Sequence, residues 1–171
     1  MTAPAVVVNA GPLMVLAKLN LLHLLKQLYE RVYFAEAVYH EVVTEGMRQS
    51  YPDASTLFQF LRQEAWQATP VASVPSSILA ASLDRGERES IALALLHSAL
   101  LLIDEEAGRY TARSFGLSVR GSLGVLIEAY HNKLIGTDQL RFYFAEIEQR
   151  TDIWISSTLC RSLLAETIID D

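Results

Sequence analysis

The sequence predicts an α/β fold in which helices cover a mostly parallel sheet. Two observations support this class. Short apolar, β-branched stretches alternate along the chain with stretches that are apolar at helical spacing. Hydrophobic residues also make up 51% of the 171 residues, which suits a sheet buried on both faces. The length is within the usual range of one domain, so we expect a single domain over residues 1–171.

The first half of the chain contains two predicted strands, each followed by helices. Val6–Val8 is a short β-branched stretch, and Arg31–Ala35 is a second candidate strand. Leucines recur at helical spacing through Pro12–Leu28, which predicts one helix there. Turn and capping residues bound the other predicted segments. These are a helix from Glu36 to about Glu45 stopped at Gly46, a helix through Gln63 capped by Asp53 or Ser55, and an extended piece at Trp66–Val71.

The second half repeats this alternation. The stretch LDRGERESIALALLHS predicts a helix, and Asp84 and Glu87 have the spacing of a capping box at its start. ALLLID, at Ala99–Asp104, predicts a buried strand. The remaining predicted elements are a brief helix in VPSSILAAS, helices at Glu105–Phe115, Ser122–Lys133 and Thr137–Gln149, strands at Leu117–Gly121 and Ile153–Ser157, and a last helix from about Leu159.

The composition excludes several kinds of protein. Cys160 is the single cysteine, which excludes an internal disulfide and a cysteine-based zinc site. The net charge of −6 argues against broad electrostatic binding to nucleic acid, although a local basic groove remains compatible with it. No apolar run reaches the roughly 18 residues that span a bilayer. The stretch MTAPAVVVNA lacks a basic start and a long apolar run, so we expect no signal peptide and a cytoplasmic protein.

Polar side chains at four places are candidates for a site, and each also has an ordinary structural explanation. Asn9 ends the first strand and is equally explained as the cap of the helix at Pro12. Glu41 is typical of a solvated helix residue with a basic partner. The capping box accounts for Asp84 and Glu87. Asp104 leaves a buried strand and is in position to cap the next helix, although three acids in succession are more than one cap requires.

The functional explanation joins these places. The carboxyl ends of parallel strands meet at one edge of a sheet, so Asn9 and Asp104 are expected to be neighbours, and helices at that edge add Glu41 and Glu87. Crowded carboxylates repel each other by about 4 kcal/mol per pair at about 4 Å and an effective dielectric of about 20. A divalent cation relieves this repulsion, and oxygen ligands without His or Cys suit Mg²⁺ or Mn²⁺. Such ions orient water and stabilise the charge of phosphodiester cleavage.

Other familiar motifs are absent from the sequence. The phosphate-binding glycine loops GxGxxG and GxxxxGK[ST] do not occur, nor does the nucleophile elbow GxSxG. Ser122, in RGSLGVL, is predicted to cap a helix. The histidines lack metal-ligand spacing and are interpreted as surface or satisfied core residues. They are His23, His40, His97 and His131.

Five sequence blocks, in this order, resemble the PIN-domain family. They are VVVNAGPLMVLAKL, FAEAVYHEVV, GERESIALAL, LLLIDEEAGRYTARSFGL and VRGSLGVLIEA. The nearest resemblance is to small prokaryotic members described as predicted nucleic-acid-binding proteins. The resemblance implies a Rossmann-like, three-layer α/β/α sandwich. It also implies a ribonuclease in which three or four acids hold Mg²⁺ or Mn²⁺. Many members of the family are toxins of toxin–antitoxin pairs, and many dimerise.

The resemblance carries the family's acids onto particular positions of this chain. The first falls on Asn9, the second on Glu41, the third on Glu87 with Glu89 close by, and the fourth on the pair Asp104 and Glu105, with the hydroxyl of Ser122 matching a supporting position. The first position is normally Asp. An amide oxygen still coordinates a metal, but it brings no negative charge and cannot act as a base.

Three functions therefore remain open. One is a Mg²⁺- or Mn²⁺-dependent endoribonuclease. A second is a module with the same fold that binds RNA or a protein partner with little or no cleavage, which Asn9 and the acidic charge favour. A receiver-like protein is the weakest, since no pair of acids follows the first strand. An antitoxin-like partner and a homodimer are expected from the resemblance, and the helix Pro12–Leu28 and the last helix near Leu163 are the candidate interfaces.

Overall fold

Four parallel strands form one sheet at the centre of residues 5–168, the part of the chain that the computed structural model describes. In chain order they are β1 (Val6–Val8), β2 (Val32–Tyr33), β3 (Leu100–Leu102) and β4 (Val119–Arg120). Their spatial order is β2–β1–β3–β4, so β1 and β3 are the inner strands. The α/β class and the parallel sheet are thus confirmed, with helices flanking the strands. Residues 1–4, the start of the stretch considered for a signal peptide, and residues 169–171 lie outside the described part.

Helices make up most of the rest of the chain. They are α1 (Ala10–Lys18), α2 (His23–Leu28), α3 (Glu36–Tyr39), α4 (Gly46–Arg48), α5 (Pro52–Glu64), α6 (Ser76–Leu79), α7 (Arg85–His97), α8 (Glu106–Ser114), α9 (Ser122–His131), α10 (Thr137–Gln149) and α11 (Ser157–Ile168). A π-helical turn, His40–Glu45, joins α3 to α4. Within the described residues, none of these helices has the length and apolar character needed to cross a bilayer.

The core forms where helices pack on the two inner strands. All three valines of β1 are fully buried, as are Leu101 and Leu102 of β3. Helix α7 packs on both inner strands. Burial of β1 and β3 explains why these strands are continuously apolar in the sequence, because both of their faces are covered. The four histidines are all exposed, as expected for surface residues.

Two helix predictions in the first half were wrong in their extent. Pro12–Leu28 is two helices, because the backbone turns between them and Asn20 adopts a left-handed conformation with φ of 57°. The helix that starts at Glu36 does not stop at Gly46. A Cβ on Gly46 would lie 2.7 Å from the Cβ of Ala54, so this glycine permits close packing on α5 instead of ending the helix.

Boundary residues account for the other differences. Helix α5 starts at Pro52, with Tyr51 in the capping position, so neither Asp53 nor Ser55 caps it. Pro52 suits the first helical position because its missing N–H has no partner there in any case. The predicted strand Ile153–Ser157 is wrong: residues 153–156 are irregular and α11 begins at Ser157. The extended piece Trp66–Val71 contributes only a bridge between Thr69 and Ala35 in the described chain.

Candidate functional site

Asn9 lies directly after β1, at the carboxyl edge of the sheet. It is 3% exposed, and its backbone N–H donates to the carbonyl of Leu102 at 2.9 Å. It occupies the capping position of α1, but its side-chain oxygen accepts a hydrogen bond from Ser90 Oγ at 3.2 Å instead of capping the helix. The capping explanation is therefore wrong for this side chain. The amide is held between β1 and α7, with a neutral donor on its oxygen.

Asp104 follows β3 at the same edge and is bound by Ser122. The Ser122 N–H donates to Oδ1 at 2.7 Å and its hydroxyl donates to Oδ2 at 2.6 Å. Burial raises the pKa of Asp104, while the two bonds from Ser122 and the charge of Arg109 lower it. Gly121 holds the capping position of α9 and Glu105 that of α8, so the predicted caps Ser122 and Asp104 were both wrong. These two side chains bind each other across 18 residues of sequence.

Four carboxylates from three elements form what we call the acidic cluster: Glu41, Asp84, Glu87 and Glu105. Glu41 comes from the π-helical turn, Asp84 and Glu87 from the start of α7, and Glu105 from the start of α8. Partial burial raises the pKa of Glu41, and the charges of Asp84, Glu87 and Glu105 raise it further. The pKa of Glu87 is also raised, first by burial and then by the charges of Asp84 and Glu105. The hydrogen bond that Glu87 accepts from the Asp84 backbone lowers this pKa.

The predicted capping box is present and is part of this cluster. The Glu87 N–H donates to Asp84 Oδ1 at 2.8 Å, and the Asp84 N–H donates to Glu87 Oε2 at 3.0 Å. The structural and functional explanations of these acids therefore do not exclude each other. The capping box fixes the backbone of the first turn of α7, and that turn presents Glu87 to Glu41 and Glu105.

Glu89, in contrast, is bound elsewhere. It is 6% exposed, and its two oxygens accept from the Ala37 N–H at 3.3 Å and from Arg85 Nε at 2.7 Å. The bond from Ala37 ties α7 to the start of α3, and the bond from Arg85 lies within α7. Glu89 thus supports the helix that leads into the π-helical turn, and it does not join the acidic cluster.

The π-helical turn that carries Glu41 was not predicted. Such turns are rare within α-helices and are frequent at functional sites. The turn lies between Tyr39 and Gly46 in one continuous helical segment, and it packs on α1 and α5. The sequence FAEAVYHEVVTEG has an ordinary helical pattern there, so the tertiary contacts decide the local winding.

Three glycines border the site, and the sequence analysis did not identify them. A Cβ on Gly86 would lie 3.3 Å from Glu41 Oε2, and one on Gly11 would lie 3.3 Å from Asp104 Oδ2. On Gly121 it would lie 2.9 Å from Asp104 Oδ1. Each glycine stands within two residues of a predicted site position, which is the signal that sequence reasoning could have used. Their missing side chains leave room beside the carboxylates.

Comparison with known families identifies this architecture. A family model described as PIN domain matches residues 5–168. The chain belongs to the PIN-domain family. This membership confirms the resemblance noted in the sequence. It gives the protein a nuclease-type fold. PIN domains generally use divalent metal ions, and the family is associated with nucleic-acid binding. No curated protein matched the chain.

The acidic cluster of this PIN domain fits a hard divalent cation in its chemistry. None of the ion pairs found within residues 5–168 includes a member of the cluster. The glycines supply space beside the oxygens. As placed, however, no three His, Cys, Asp or Glu side chains of the described chain are grouped closely enough to hold an ion by themselves. Mg²⁺ usually keeps several water ligands and takes only one or two carboxylates, so this arrangement suits it better than an ion that needs a protein cage.

Proposed function

We propose that this PIN domain is a Mg²⁺- or Mn²⁺-dependent endoribonuclease whose ion is held at the acidic cluster. The observation that carries the proposal is the convergence of Glu41, Glu87 and Glu105 from three separate elements, with no basic partner among the described ion pairs. Carboxylates that repel one another favour a bound cation. When bound, the ion supplies Lewis acidity that orients water and stabilises the charge developing on a phosphodiester.

Each residue has a distinct part in this proposal. Glu41, Glu87 and Glu105 hold the ion, either directly or through its water ligands. Asp104 contributes negative charge at the carboxyl edge of the sheet, where Ser122 fixes its orientation through both carboxylate oxygens. Asn9 offers a neutral amide oxygen that already accepts from Ser90. Of the pair that the sequence left open, Glu105 is the one whose charge acts on Glu41 and Glu87, which favours it as the ligand over Asp104.

A second candidate is a PIN-fold module that binds RNA or a protein with weak or no cleavage. Asn9 favours it, because the buried amide brings no charge and cannot accept a proton. Family analogy alone supports the wider setting, a cytoplasmic toxin with a small antitoxin-like partner and a second copy of the chain.

Calorimetry with Mn²⁺ tests the metal site. The wild type is expected to bind Mn²⁺ saturably, and Glu41→Gln and Glu105→Gln to weaken binding at least roughly tenfold, since each removes a charged ligand. Glu106→Gln is the matched control, because it removes one exposed carboxylate from the next position of α8. No saturable binding by the wild type, or equal loss in the control, would refute the site.

A cleavage assay on single-stranded RNA then separates the two functions. Metal-dependent cleavage by the wild type, lost in Glu41→Gln, supports the endoribonuclease. A wild type that binds Mn²⁺ but cleaves only after Asn9→Asp supports the binding module. Metal binding without cleavage by either protein on a panel of RNAs contradicts the endoribonuclease.

A further inference from the structure

Two arginines on α8 form no ion pair with an acidic residue of the described chain. Arg109 and Arg113 are four residues apart, so they share one face of the helix. Neither takes part in the ion pairs found in the described chain. Glu105 stands four residues before Arg109, a spacing that favours an ion pair on a helix. That pair is not formed, and Glu105 lies instead with Glu41 and Glu87.

Arg109 lies beside Asp104 at the edge of the sheet. Its Nη1 donates to the carbonyl of Ile103 at 3.2 Å. The position of a Cβ on Gly121 is 2.8 Å from this nitrogen and 2.9 Å from Asp104 Oδ1, so the guanidinium and the carboxylate flank the same point. Burial lowers the pKa of Arg109, the charge of Arg113 lowers it further, and the charge of Asp104 raises it. The two arginines are thus close enough to repel each other.

We propose that Arg109 and Arg113 form a phosphate-binding subsite for the backbone of a nucleic acid. The choice of RNA as ligand rests on the proposed function. Two neighbouring guanidinium groups that form no ion pair in the described chain are stabilised by an anion, and their planar forks match phosphate oxygens. In a chain of net charge −6, with acids at the same edge, a backbone needs such a local positive contact to approach. Helix α8 places Glu105 at its start and the arginines in the turns that follow, so one helix borders both sites.

RNA binding at several salt concentrations tests this subsite. The binding of a fluorescein-labelled single-stranded RNA is measured by fluorescence anisotropy, with a chelator present to remove metal ions. Arg113→Ala is the main variant, because Arg113 is exposed and its loss leaves the Ile103 bond of Arg109 intact. Loss of one phosphate contact is expected to weaken binding roughly three- to tenfold at low salt. It should also reduce the slope of log affinity against log salt by about 0.7. Arg109→Lys keeps the charge but loses the fork, so it is expected to keep the slope and lose a few-fold in affinity.

Arg141→Ala is the matched control, since it removes one exposed arginine from α10, a helix that packs on α9 and α11. A slope that changes in Arg113→Ala and not in Arg141→Ala supports the subsite. Equal slopes in these two variants, or a wild type that does not bind the RNA, overturn it. Mn²⁺ calorimetry on Arg113→Ala is expected to match the wild type. If the wild type fails to bind Mn²⁺, the proposed metal site fails, whereas the RNA comparison still decides the subsite.

Discussion

The hydroxyl of Ser122 is the most direct target for a test of the site's electrostatics. It is fully buried and donates to Asp104 Oδ2 at 2.6 Å, while the Ser122 backbone N–H donates to Oδ1. Ser122→Ala removes the first bond and leaves the second. Hydrogen bonds to charged groups contribute about 1.5–3 kcal/mol, so the free energy of unfolding at neutral pH is expected to fall by roughly that amount.

The loss should depend on pH. Burial raises the pKa of Asp104 above its ordinary value, so the charge of this group costs stability as the pH rises through its folded pKa. The Ser122 bonds lower that pKa and reduce the cost. Without the hydroxyl, the folded pKa rises further, so the variant is expected to lose most stability at neutral pH. The loss should shrink as the pH falls to about 3.9 and below, where Asp104 becomes protonated in the unfolded chain as well.

Ser90→Ala is the matched control. Ser90 is equally buried, and its hydroxyl donates to the neutral amide of Asn9 at 3.2 Å. Its loss is expected to cost about 0.5–1.5 kcal/mol with no dependence on pH. Urea unfolding of both variants from about pH 8 to about pH 4 measures the difference. Equal, pH-independent losses in the two variants would refute an ionised Asp104 held by Ser122.

Three further predictions concern the acidic cluster and its surroundings. Glu41→Gln is expected to stabilise the metal-free protein at neutral pH by roughly 0.5–1 kcal/mol in thermal unfolding, because the raised pKa of Glu41 means that its charge costs stability. This gain in stability should disappear as the pH falls to about 4.3. A gain that persists in acid would contradict the repulsion between Glu41 and the other carboxylates of the acidic cluster. Asp84→Ala removes the carboxylate that accepts from the Glu87 N–H in the capping box, so the free energy of unfolding in urea is expected to fall by about 1–2 kcal/mol. An unchanged urea midpoint would mean that this bond does not stabilise the protein. Gly108→Ala would place a Cβ 2.5 Å from Ile103 Cδ1, so overpacking should cost about 1–3 kcal/mol, and a variant as stable as the wild type would show that Ile103 moves freely.

Local sequence patterns predicted the elements whose causes are local. Val6–Val8 was predicted at its observed bounds, since a β-branched run buried on both faces has few alternatives. The capping box of α7 was also predicted correctly, because both of its partners lie within one helical turn. A local pattern misled at Ile153–Ser157, which alternates like a strand. No neighbouring strand pairs with it in the described chain, and Trp154 is 94% exposed.

The sequence by itself determined the α/β class, the parallel sheet and the positions of the polar residues at its carboxyl edge, because these follow from hydrophobic periodicity and from where apolar strands end. Only the tertiary structure decided which partners those polar groups take. Asn9 binds Ser90, which is 81 residues away, Asp104 binds Ser122, and Glu105 joins Glu41 and Glu87. The orientation of a buried polar side chain depends on donors and charges from elements distant in the sequence, and no local pattern records them.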